Sequence, residues 1–227
     1  MIIDCISDLH GYYPDLEGGD LLIIAGDLTA THTQSQYLNC VQWMMEQNYK
    51  KIIYIAGNHD SYIQEINPLN QTWYFDDNGK KVEYLQDSGT EFEGLKIWGS
   101  PWTTTFVGMN PRCRAFTVHT DEQLADRFEK IPHDVDILIT HSPPFGILDL
   151  VPYRDFIKGA EHVGSRYLYA WFKYVGRPKL HVFGHIHECY GMEERFAGYN
   201  ETMVKSVNAS HVNEFYQPIN PPIRVIL

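Results

Sequence analysis

No apolar run in this 227-residue chain approaches the roughly 20 residues that cross a bilayer, so a membrane-spanning helix is not expected. Cysteine is scarce. Cys5, Cys40, Cys113 and Cys189 are widely scattered and form no CxxC pair. That removes a zinc knuckle, and a disulfide framework is not expected in a domain this large. The four read as reduced, mostly structural thiols. Positive charge is also short, with 18 Lys and Arg against 29 Asp and Glu and a formal net charge of −11. Attraction to a nucleic-acid backbone should then be weak or repulsive, even after two divalent ions bind, and duplex nucleic acid is disfavoured as a partner. The start of the chain has neither the basic segment nor the apolar core of a signal peptide, so a cytoplasmic location is expected. There is no internal repeat, low-complexity tract or linker, and residues 1–227 are expected to form one domain.

What the chain does have is a repeated junction. Five times a short β-branched apolar run stops at a metal-ligand residue type. Ile2–Ile6 leads to Asp8 and His10, and Leu21–Ala25 leads to Gly26-Asp27. Lys51–Ala56 leads to Gly57-Asn58-His59-Asp60, Asp136–Thr140 to His141, and Leu180–Phe183 to Gly184-His185-Ile186-His187. Runs of this length without helical period read as buried strands. Ligands of open α/β sheets gather at the carboxyl ends of strands, so the five junctions predict one site.

Between the strands, Thr33–Asn48 has helical spacing, Thr120-Asp121-Glu122-Gln123 resembles a capping box opening a helix to Lys130, and Gly164–Val175 is a third helix. Val82–Gln86 and Phe92–Trp98 are expected to pair antiparallel around a turn near Gly89, with closing strands at Thr202–Asn208 and Ile223–Leu227. The stretches Thr103–Thr117 and Ser142–His162 read as long irregular loops, either walls of the site or plain surface.

In extended backbone, residues i and i+2 face the same side, so Asp8 with His10, and His185 with His187, can each converge on a point. Glycines at Gly26, Gly57 and Gly184 let backbone approach the ions closely. Imidazole and carboxylate together suit zinc, manganese or iron. Asp27 can bridge two ions about 3.5–4 Å apart, and the uncharged amide of Asn58 would keep the pair electropositive. Asp8, His10, Asp27, Asn58, His141, His185 and His187 make seven candidate ligands, a number that fits two divalent ions better than one closed zinc. His32, His119, His133, His181 and His211 lack such a setting and read as ordinary.

These blocks, DxH, GD, GNHD, H and GHxH, together resemble the signature of the calcineurin-like metallophosphoesterase superfamily across residues 8–187. Gly99-Ser100-Pro101-Trp102-Thr103, Thr140-His141-Ser142-Pro143-Pro144, Val207-Asn208-Ala209-Ser210 and Gln217-Pro218-Ile219-Asn220 are similar in particular to the metallophosphoesterase-domain-containing group related to class III cyclic nucleotide phosphodiesterases. The resemblance implies an α/β fold, a four-layer α/β/β/α sandwich of two mixed sheets flanked by helices. It implies that Asp8, His10, Asp27 and His187 hold one metal and that Asp27, Asn58, His141 and His185 hold the other. It places His59 at the leaving-group oxygen without binding metal, and Asp60 as the residue that orients His59.

The expected function is a metal-dependent phosphodiesterase of small phosphodiesters, cyclic nucleotides above all, in which a hydroxide shared by the two metals attacks and His59 assists the leaving group. Arg112, Arg114, Arg154 and Arg166 could contact a second phosphate, and Trp102, Phe106, Phe145 and Tyr153 could stack a base. The alternatives are a phosphomonoesterase or phosphoprotein phosphatase of the same fold, and a scaffold without catalysis. The full ligand set argues against the scaffold.

Overall fold

The computed structural model describes residues 1–66, 72–75, 81–106, 108–152, 159–197 and 202–227. In chain order it forms β1 (Ile2–Ile6), β2 (Gly19–Ala25), α1 (Gln34–Glu46), β3 (Tyr49–Ile55), α2 (Ser61–Ile66), β4 (Thr72–Phe75) and β5 (Lys81–Tyr84). Then come β6 (Ser88–Phe92), β7 (Leu95–Ser100), β8 (Thr103–Thr104), β9 (Thr117–Val118), α3 (Asp121–Phe128), β10 (Ile137–Thr140), β11 (Leu150–Pro152) and β12 (Ala160–His162). The chain closes with α4 (Arg166–Tyr174), β13 (Leu180–Phe183), a single 3-10 turn at His187–Cys189, β14 (Gly191–Ala197), β15 (Thr202–Asn208) and β16 (Ile223–Ile226).

Two six-stranded sheets share one plan. The first runs β16-β1-β2-β3-β5-β4 and the second β14-β15-β13-β10-β7-β6. In each, four parallel strands are bordered on both edges by an antiparallel one. Alternation along the strands divides the core into three layers. Ile3, Cys5, Leu21, Ile23, Ile53 and Ile55 meet Ile137, Ile139, Leu180, Val182 and Val207 between the sheets. The residues in between, Leu22, Ile24, Ile52 and Tyr54, turn outward onto Tyr37, Val41, Trp43 and Met44 of α1 and Ile63 of α2. On the far side, Leu138 and Val204 pack under Leu124 and Phe128 of α3 and Leu168, Trp171 and Phe172 of α4. Helix, sheet, sheet and helix thus form the four-layer sandwich expected from the resemblance.

The long helices begin as their caps dictate: Thr33, Thr120 and Ser165 each accept a hydrogen bond from a backbone N–H of the first turn. Two sequence expectations need correction. Val82–Gln86 does not pair with Phe92–Trp98, because β5 lies beside β3 in the first sheet and turns Val82 and Tyr84 into the helix-side layer. The hairpin is β6–β7, joined by Glu93 and Gly94 with φ of 48° and 79°. Two residues at positive φ match the twist of the flanking strands, so Glu93-Gly94, and not Gly89, makes the turn. The loops at 103–117 and 142–162 are also less irregular than expected, since each closes on a small ladder, β8–β9 and β11–β12. The short helix α2, the edge strand β4 and the charged edge strand β14 were not legible from periodicity. No helix among the described residues is long and apolar enough to cross a membrane.

Candidate metal centre

The five predicted junctions all lie at carboxyl ends of parallel strands, three in the first sheet and two in the second. Beneath them Ser7 stitches the sheets together: its N–H donates to the Ala209 carbonyl and its own carbonyl accepts from His211, both at 2.8 Å. The polar side chains of the junctions face one another across this seam.

Asp8, Asp27, Asn58 and His141 are buried, as is His10 at 5% exposure. His141 Nε2 lies 3.0 Å from Asn58 Oδ1 and 3.5 Å from Asp27 Oδ2. His10 Nε2 lies 3.4 Å from His187 Nε2 and 3.8 Å from Asp27 Oδ2. His187 Nε2 lies 3.3 Å from Asp8 Oδ1, and the His185 ring is 4.9 Å from the His141 ring. All seven candidate ligands are therefore in one cluster around Asp27. A cation bound about 2.0–2.2 Å from each donor sets neighbouring donors roughly 3.0–3.5 Å apart, close to the spacings found here. A nitrogen facing two oxygen acceptors, as His141 Nε2 does, needs a cation between them, either a proton or a metal. The donor set fits divalent ions on both counts.

Convergence is achieved differently from the expectation. Asp8 and His10 are not in extended backbone; their φ values are 52° and 45°, and Asp27 and His185 lie at 53° and 69°. His185 meets His141 while His187 meets Asp8, so this pair does not share one point, whereas Asp8 and His10 do converge, together with His187. Each left-handed non-glycine residue costs on the order of 1–3 kcal/mol, and such strain persists where surrounding structure over-determines it. Here the Asp8 carboxylate accepts from the His185 N–H and the Ser210 hydroxyl, and Asp27 Oδ1 accepts from the His59 N–H at 2.8 Å. The glycines leave room for these bonds. A Cβ on Gly184 would lie 2.1 Å from Asp8 Oδ2, and one on Gly57 2.3 Å from Asp27 Oδ1.

Electrostatics sort the ligands. Burial pushes His10 and His185 down to about 3, leaving neutral rings with a lone pair to offer. Burial also works against a charged His141, but the neighbouring Asp27 carboxylate outweighs it and raises His141 to about 9. Burial would raise Asp27, yet the charges of His141 and His59 hold it well below the ordinary carboxylate range. His141 Nδ1 faces the Ala25 carbonyl at 3.0 Å, so that nitrogen carries the donated N–H and Nε2 is the one aimed at the cluster.

The expected link between Asp60 and His59 runs through the backbone. Asp60 accepts from the N–H groups of Gly57, Leu28 and Thr29 and from the Thr29 hydroxyl, and among the described residues makes no bond to the His59 imidazole. It clamps the loop that carries Asn58 and His59. Burial, then the charge of Asp27, raises its carboxyl to about 7.

Four neighbours were not singled out in the sequence. Tyr216, at φ 59°, sets its ring 4.9 Å from His10 and 5.1 Å from His187. Ser210 holds Asp8, and is itself held by Asn208. His32 and Cys113, read from the sequence as an ordinary histidine and a structural thiol, both face His59. Of these, only Ser210 lies in a block that carried the family resemblance, Val207-Asn208-Ala209-Ser210, and its carbonyl accepts from the Asn220 amide of the other, Gln217-Pro218-Ile219-Asn220. Of the aromatic candidates, Trp102 is engaged by Phe116, Arg127 and Asp87, and Phe145 by Arg166 and His162. Phe106 stays exposed, 6.4 Å from the His185 ring. Arg112 and Arg114 are exposed, while Tyr153 and Arg154 lie outside the described residues.

Comparison with known proteins agrees with this geometry. The calcineurin-like phosphoesterase family profile matches residues 1–189. The human and mouse proteins called metallophosphoesterase domain-containing protein 1 are each 36% identical over 243 residues, covering 98% of this chain and 70% of theirs. A Caenorhabditis elegans protein of the UPF0046 group is 31% identical over 247 residues, covering 96% of this chain and 58% of its own. A solved crystal structure superimposes with a TM-score of 0.55 over 99% of this chain and 98% of that one, at 14% identity, a likeness of fold alone.

Proposed function

Given that this chain belongs to the calcineurin-like phosphoesterase family, whose members are metal-dependent phosphoester hydrolases, we propose that it is a phosphodiesterase that uses two divalent ions on small phosphodiesters, cyclic nucleotides foremost. The observation that carries the reading is the single cluster around Asp27, with a carboxylate, an imidazole and further donors on either side of it. Asp8, His10, Asp27 and His187 would hold one ion, and Asp27, Asn58, His141 and His185 the other. When bound, the pair would supply an acidified water for attack near neutral pH and positive charge for the phosphoryl oxygens. Manganese, zinc and iron all suit such donors.

The protein's own groups do the rest. His59 is half-buried at the edge of the cluster, its ring 4.5 Å from that of His10. Its backbone N–H is tied to Asp27 and its loop to Asp60, which holds the ring beside the candidate ligands; its donor nitrogen lies within 4.8 Å of donors of His10 and Asp27, and we assign it as the acid and not as a further ligand. With Nδ1 turned toward Cys113, Nε2 is the nitrogen left to protonate the departing alkoxide. The exposed Phe106 ring beside His185 supports a nucleotide substrate, because a base can stack there. The net charge of −11 supports small substrates over long nucleic acid. Cytoplasmic residence belongs to the same proposal and is supported by four unpaired cysteines.

The test compares Asp27→Ala and His59→Ala in the metal-loaded protein. Asp27→Ala should lose metal and activity together. His59→Ala should keep its metal and lose about 10²–10⁴ in kcat, most severely on esters with poor leaving groups. Equal rates of the His59 variant and wild type on alkyl and nitrophenyl esters would refute the acid assignment. Faster turnover of p-nitrophenyl phosphate than of bis(p-nitrophenyl) phosphate would replace the diester reading with a monoester one.

A further inference from the structure

We propose that His32, Cys113 and the Nδ1 of His59 form a separate site for a soft divalent cation, zinc or cobalt in chemical type, at the rim of the main centre. Cys113 Sγ lies 3.6 Å from His59 Nδ1 and 3.8 Å from His32 Nε2, and one donor atom from each of the three residues falls within 4.8 Å of the others. A tetrahedral zinc with Zn–S of about 2.3 Å and Zn–N of about 2.0–2.1 Å would hold sulfur and nitrogen roughly 3.5–3.6 Å apart. The two sulfur–nitrogen edges are therefore nearly those of such a site, and the two nitrogens lie within 4.8 Å of each other. Hydrogen bonding within the trio depends on which ring nitrogens carry protons, whereas a cation engages all three donors at once.

The donors are held in place by their own loops. The His32 and His59 rings stack 5.6 Å apart at 15°, so both present an edge to the same sulfur. His32 sits in left-handed backbone at φ 57°, a strained conformation for which the main centre gives no reason. The Gln36 amide oxygen secures its loop by accepting from the Ala30 and Thr31 N–H groups at 2.9 and 2.7 Å. Cys113 is fixed by its N–H to the Asn110 carbonyl and by its carbonyl, which accepts from the Asn58 amide. His32 Nδ1 is buried and has no hydrogen-bond partner among the described residues.

Donor softness separates the two sites. The main cluster offers only oxygen and imidazole, while a thiolate selects zinc or cobalt over manganese or magnesium. Binding would release the thiol proton. A regulatory consequence rests on His59 being the leaving-group acid. With a cation on Nδ1, the ring becomes a neutral ligand whose Nε2–H is a far weaker acid than an imidazolium, so excess zinc should inhibit while the main ligands stay occupied.

The full-length protein, first loaded with manganese, is titrated with cobalt or zinc alone, beside Cys113→Ser and His32→Ala. His32 is on a half-exposed loop, so its variant keeps the test open if Cys113→Ser folds poorly. Wild type should show a thiolate-to-cobalt charge-transfer absorption and bind one zinc equivalent more than either variant. Half-inhibition by zinc should need at least about tenfold more metal in Cys113→Ser. No charge-transfer absorption in wild type, or an absorption and zinc count undiminished in both variants, overturns the site. The main cluster contains no sulfur, so an error about its metals changes the total count in every protein but leaves the difference and the absorption intact. A lost equivalent with unchanged zinc inhibition overturns the regulatory role alone.

Discussion

Raising the pH of the metal-free protein from 6.5 to 9 should destabilise it, while the same change should tighten its hold on divalent metal. The cause is His141. Its Nδ1 donates to the Ala25 carbonyl, and its Nε2 faces Asn58 Oδ1 at 3.0 Å and Asp27 Oδ2 at 3.5 Å. Without metal, a proton on Nε2 is the cation that reconciles those two oxygens. Despite the opposing effect of burial, Asp27 raises His141 to about 9, against 6.5 for a free histidine. A histidine whose folded value is raised contributes stability that is complete below the unfolded value and is lost as pH climbs through the folded one. A rise of this size corresponds to about 3 kcal/mol. In a protein of this length that is a fall of roughly 6–12 °C in Tm. Metal must expel the same proton, so below the folded value its apparent affinity should gain up to about tenfold per pH unit. His187, raised by its bond to Asp8 against the effect of burial, adds to both trends with the same sign. Thermal melts with chelator and with manganese should therefore move in opposite directions as pH rises. Calorimetry near pH 7 in two buffers of different ionisation enthalpy should count about one proton released from His141 as metal binds. A metal-free Tm that is flat or rising over this interval, or metal binding without proton release, would refute the reasoning.

Gly184→Ala should destabilise by at least about 1–3 kcal/mol, because the new methyl lands on Asp8 and on Ser7 Oγ, and metal content should fall with it; thermal melts and elemental analysis check both. Asp60→Asn turns an amide NH2 toward N–H donors and should cost about 1–3 kcal/mol for each buried group left unpaired, seen as a lower denaturant midpoint at unchanged slope. Tyr216→Leu removes ring contacts worth about 0.5–1.5 kcal/mol each, so Tm should drop by a few degrees with metal content intact. Loss of metal in that variant would show that Tyr216 does more than wall the centre.

The sequence by itself determined the five strand ends, the candidate ligands on them and the three capped helices between, because each is local: an apolar run, a cap, or a glycine followed at once by a donor. Tertiary structure decided how they meet. Whether β5 joins β3 or β7 depends on which layer buries Val82 and Tyr84, and no local pattern distinguishes those layers. Left-handed φ at Asp8, His10, Asp27 and His185 is imposed by bonds from distant chain, such as Ser210 and the His185 N–H on Asp8. His32, Cys113 and Tyr216 belong to surface loops in the sequence; His32 reaches His59 through the pairing of β2 with β3, and Cys113 and Tyr216 reach it from distant parts of the chain. Side-chain chemistry is written residue by residue, but proximity between residues tens to hundreds of positions apart is a property of the packed sandwich.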